Sequence, residues 1–141
     1  MKQYEKLLYR TNSVSYWLAM VFLVFNTCQT IFTLNNVNIA AVGILVLEII
    51  LLNIVVSFLV FIIASEMKRY NLFWTYLGLG LGIFELIRVF FISKTIPAEP
   101  RLVILISLLV SGVFLVAASV ISLDLCKKRN IALAEQKASR S

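Results

Sequence analysis

Glu48, Glu85 and Arg88 are the residues whose types and setting could do chemistry, because each interrupts an apolar run long enough to cross a lipid bilayer. Charged groups are costly in hydrocarbon, so they face a bundle interior, pair with one another, or line a water-filled site. Glu85 and Arg88 stand three residues apart and are therefore neighbours on one side of a helix. That side also carries Gly78 and Gly82, a small-xxx-small spacing that lets another helix come close. Two carboxylates against one guanidinium leave a charge imbalance whose burial is expensive. Three readings follow. One glutamate holds a cation or exchanges a proton while Arg88 pairs with the other. Alternatively the three groups close into a network that fixes helix register, or one of them pairs with a charge on a partner subunit.

The inventory excludes several other chemistries. The chain has no histidine, which removes His-ligated metal and haem sites and Ser–His catalysis. Its only aspartate, Asp124, lies at a helix end, so no aspartyl pair can form. Cys28 and Cys126 fall towards opposite membrane faces, too far apart for a disulfide, and read as structural, with modification of Cys126 beside Lys127 the minor alternative. Gly78, Gly80 and Gly82 lie inside a span with no following Lys-Ser/Thr, so they are not a phosphate loop. No catalytic residue, metal or cofactor is expected.

The elements that must position these groups follow from hydropathy. The chain has 141 residues, 61% of them hydrophobic, with a mean hydropathy of +0.96. A soluble domain has an apolar share nearer ~45–50%. Four apolar runs, at about 14–34, 39–64, 72–92 and 102–123, predict an all-α integral membrane protein, an up-and-down bundle of four transmembrane helices. Residues 1–13 and the basic tail 124–141 flank the bundle, the tail extending the fourth helix before fraying. The turn at Asn35-Asn36-Val37-Asn38 returns the second helix beside the first. Pro97 and Pro100 keep the third connection from being helical throughout.

Within the helices, polar and small residues recur at helical spacing. The first carries Ser15, Ala19, Asn26, Gln29, Thr30 and Thr33, which read as a helix-contact stripe. The second adds Asn53 and Ser57. In the fourth, Ser107, Ser111, Ala118 and Ser122 suit left-handed packing. At ~1.5 Å per residue, Asn26, Glu48, Glu85, Arg88, Ser107 and Ser111 all reach one layer in the same half of the membrane.

Most basic residues flank one side of the spans, and only Lys94 and Arg101 fall on the other. This asymmetry predicts cytoplasmic termini and suits the plasma membrane. The net charge of +6 is thereby a topology signal, and nucleic-acid binding is not expected. Tyr4, Tyr9, Tyr16, Trp17, Tyr70, Trp74 and Tyr76 gather at the cytoplasmic ends, where an interfacial belt would form. Minimal loops and small-residue stripes favour a non-catalytic subunit of a larger membrane assembly, such as a transport complex. The alternative is a homo-oligomeric transporter or channel for a small solute or ion, built on the polar layer. Membrane lipids, other subunits or further copies of the chain are the expected partners.

Overall fold

The computed structural model describes residues 8, 10–38, 44–92 and 96–139, the side chains of residues 44–46 and 48 excepted. Four helices account for nearly all of them: α1 (Ser13–Asn36), α2 (Ile44–Lys68), α3 (Leu72–Arg88) and α4 (Ala98–Ala138). All four are long and apolar enough to cross a membrane, counting the 3₁₀ turn Val89–Phe91 with α3. The fold is an all-α four-helix bundle. α4 packs along both α1 and α3, α1 packs along α2, and the seam between α2 and α3 is the thinnest of the four.

Local chemistry sets the helix ends. The buried Asn12 caps α1, its Oδ1 accepting from the Ser15 amide at 3.2 Å while its Nδ2 donates to the Ser15 hydroxyl at 2.9 Å. α2 runs through Lys68 instead of stopping at Ala64, because Met67 is fully buried and extends the core by one turn. It ends where Tyr70 takes a left-handed conformation, φ 62°. The amides of Arg69 and Asn71 then donate to the Glu66 carbonyl and that of Tyr70 to the Met67 carbonyl, satisfying the last turn. The α-helical part of α3 stops at Arg88 and tightens into a 3₁₀ turn, short of Ile92. α4 starts at Ala98, with Pro100 in its first turn, where a missing N–H leaves no helical bond unmade. The expected start of the second helix at Ile39 lies outside the described residues.

Polarity is inverted relative to a water-soluble bundle. Phe58, Phe73, Phe90 and Phe91 face outward, whereas Ser15, Asn26, Gln29, Asn53, Thr75, Glu85, Ser111, Ser119 and Ser122 are buried. An apolar exterior has no hydrophobic cost in lipid, and buried polar groups gain partners there. Two dry clusters bracket the polar layer. One joins Ala19, Phe22, Val56, Val60, Ile63, Ala64, Met67, Leu115 and Ala118 towards the end where α1 begins. The other joins Val37, Ile50, Ile96, Ile104 and Leu108 at the far end.

Candidate functional site

Two of the intramembrane charges, Glu85 and Arg88, meet between those clusters. Arg88 Nη1 donates to both carboxylate oxygens of Glu85, at 2.7 and 2.8 Å, and Nη2 donates to Asn53 Oδ1 at 2.8 Å. Glu85 is fully buried and Arg88 nearly so. The three-residue spacing on α3 brings the pair together, and Asn53 ties it to α2. The network continues. Asn53 Nδ2 donates to Thr30 Oγ1 at 3.2 Å. Asn26 Nδ2 in turn donates to the Asn53 carbonyl at 3.0 Å and to Ser57 Oγ at 2.7 Å. Asn26, Asn53, Glu85 and Arg88 thus form one chain of hydrogen bonds across α1, α2 and α3. Glu48 lies on α2 five residues before Asn53, and its side chain lies outside the described residues.

α4 contributes differently from the expected convergence of polar groups. Ser111 is buried at this level but donates to the Leu108 carbonyl of its own helix at 3.1 Å, and Ser107 is only half-buried. A serine hydroxyl satisfied by its own backbone has no proton left for a neighbouring helix. The helix-packing residues act by fit. A Cβ on Gly82 would stand 2.9 Å from Val116 Cγ2 and 3.0 Å from the Val116 amide nitrogen, so α3 and α4 approach where a side chain has no room. A Cβ on Gly78 would meet Met67 and Ser119, placing Gly78 where α2, α3 and α4 come together. Ala118 belongs to the dry core, and Ser122 shares a 3.0 Å hydrogen bond with Thr75.

Sequence reasoning missed Gly112, whose Cβ would stand 2.8 Å from Leu86 Cδ2. Its neighbours at helical spacing, Leu108 and Val116, are large, so no small-residue pattern marks it. Thr30 and Ser57, each four residues from an asparagine of the network, carried a visible signal in that spacing. Gln29 is more unusual. It is buried, and neither its amide nitrogen nor its amide oxygen has a hydrogen-bond partner, nor has Asn26 Oδ1 one turn away. Such orphaned groups are expensive in a protein interior.

Glu85 and Arg88 neutralise one another within the bundle. The arrangement also leaves an opening. Between α2 and α3, a recess of about 260 Å³ lined by Ile49, Leu52, Phe84, Phe91 and Ile92 reaches Arg88 from the outer surface. Among the described residues no set of three His, Cys, Asp or Glu side chains is placed to hold a metal ion.

At the end where α1 begins, Tyr70 closes the turn between α2 and α3. The Arg129 guanidinium carbon lies 4.6 Å from its ring centre. Burial pushes the Tyr70 phenol above its usual value, with the Arg129 charge working against that rise and Cys126 adding to it. Cys28 and Cys126 are both free thiols, the first exposed and the second buried.

Comparison with protein-family models, with curated proteins and with solved structures returned no match.

Proposed function

We propose that this protein is a non-catalytic subunit of a larger membrane assembly and that a partner's transmembrane helix docks along the seam between α2 and α3. The observation that carries this reading is the recess that exposes Arg88 within an otherwise apolar seam. With Glu85 answering the guanidinium from inside, the recess presents a polar floor on which the charge of Arg88 is balanced. A partner helix with a polar side chain at that depth would find both apolar walls and a hydrogen-bonding group. The basic residues Arg10, Lys68, Arg69 and Arg129 cluster at the end where α1 begins, which supports a plasma-membrane topology with that end in the cytoplasm.

The test is a pull-down in mild detergent followed by native mass measurement. A foreign membrane protein in fixed stoichiometry is the expected result. The double variant Glu85→Leu with Arg88→Met should keep the bundle folded, since apolar replacement of a buried pair is often neutral, yet retain less than about a tenth of the partner, a loss near 1.4 kcal/mol. Full retention by a folded double variant would remove the basis for the proposal.

One observation favours a second reading, a homo-oligomeric transporter. The unpartnered Gln29 amide and the unpartnered Asn26 Oδ1 would be satisfied by water or a solute in the bundle centre. In that case the eluate would contain only copies of this chain, and Gln29→Leu would abolish solute flux in liposomes.

A further inference from the structure

A second polar concavity lies away from the intramembrane charges. Arg10, Lys68, Arg69 and Arg129 line a cleft of about 270 Å³ with Leu8, Thr11 and Tyr70, and among the described residues no carboxylate lines it. Four separate pieces of chain bring these cations together: the segment before α1, the end of α2, the turn after it, and α4. The assembly is built, not incidental. The Asn12 amide donates to the Lys68 carbonyl at 3.1 Å, which clamps the segment before α1 onto the end of α2. Arg129 Nη1 donates to the Arg69 carbonyl at 3.4 Å, and its guanidinium lies over the Tyr70 ring. Lys68 Nζ stands 5.1 Å from the Tyr16 ring centre.

The described carboxylates nearby already have partners, Glu66 with Arg69 of the cleft itself. Glu66 accepts from Arg69 at 3.4 Å and from Asn71 at 3.1 Å, and Asp124 accepts from Lys128 at 2.6 Å. That leaves Arg10, Lys68 and Arg129 without a carboxylate partner among the described residues. Arg129 Nε is also buried with no hydrogen-bond acceptor. A buried guanidinium donor calls for an anionic oxygen, and a tetrahedral oxyanion can accept from several cations at once. The cleft lies just beyond the apolar spans, at the depth of lipid headgroups, and basic pockets between helices at this level suit them.

We infer that this cleft binds a phosphate group, supplied in the membrane by the headgroup of an anionic phospholipid. Phosphatidylglycerol suits it better than phosphatidylcholine, whose own ammonium already answers the phosphate.

The test uses the full chain in mild detergent. Native mass spectrometry with equal phosphatidylglycerol and phosphatidylcholine should show at least tenfold preferential retention of one phosphatidylglycerol. Arg129→Gln with Lys68→Gln should abolish that preference, whereas Arg129→Lys with Lys68→Arg should keep most of it. Arg10→Gln, on an exposed residue that the bundle core does not need, should weaken it severalfold even if the double variant fails to fold. Inorganic phosphate is titrated in a parallel arm. If it raises thermal stability in phosphatidylcholine alone and displaces no lipid, the phosphate site stands but its occupant is the free ion. Equal retention of both lipids with no effect of inorganic phosphate, or unchanged preference in Arg10→Gln and the double glutamine variant, would overturn the inference.

Discussion

The two sides of α3 show different ways of holding one helix in place. Towards α4, Gly82 and Gly112 remove side chains, and backbones approach until Val116 and Leu86 occupy the space. Towards α2, beyond Gly78, the helices are joined by reach: Arg88 extends from Glu85 to Asn53 beside an open recess. The first contact is dry and steric, and it tolerates no added atoms. The second is polar and spans a gap, so its strength depends on every member being present. A membrane bundle needs such devices because lipid tails are as apolar as leucine and supply no hydrophobic drive between helices.

The sharpest way to break the comparison is to remove one member of the polar seam. Arg88→Met leaves Glu85 buried without its partner and should cost about 3–5 kcal/mol, read as a lowered midpoint of denaturant unfolding in detergent. Gly82→Leu attacks the steric seam and should cost about 1–3 kcal/mol, with loosened α3–α4 packing visible as a faster-exchanging hydroxyl contact between Thr75 and Ser122. Gly80→Ala is the smallest change and should have the opposite sign. Nothing lies within 4 Å of a Cβ built there, so helix propensity alone decides. A gain of up to about 1 kcal/mol is expected. A loss at Gly80 as large as at Gly82 would show that α3 packs on that face as well.

The fold was legible because lipid imposes a single rule on long apolar runs, and the four helices follow it. Charge pairing was legible for a similar reason: Glu85 and Arg88 are local in sequence, so helix geometry alone brings them together. The rest depended on tertiary register. That Asn53 receives Arg88, or that Asn26 reaches Asn53 and Ser57, requires knowing how far α2 slides against α1 and α3. Three residues either way would have paired different groups. Ser111 illustrates the converse. Its depth suggested a share in the network, but a hydroxyl in a helix has a carbonyl of its own within reach, and that local acceptor won. Gly112 carried no pattern at all, since its partner surface lies on another helix.

α4 gives the molecule a mechanical character. At ~1.5 Å per residue, its 41 residues span about 60 Å, roughly twice the hydrocarbon thickness. It is a shaft. It is gripped along most of that length: Ala118 lies in the core, Ser122 meets Thr75, Arg129 meets Tyr70 and Ala132 is still buried, and the helix continues without a break as far as Ala138. A torque applied to its last turns is therefore passed along a gripped shaft to the Gly82–Gly112 bearing, where there is no slack to absorb it.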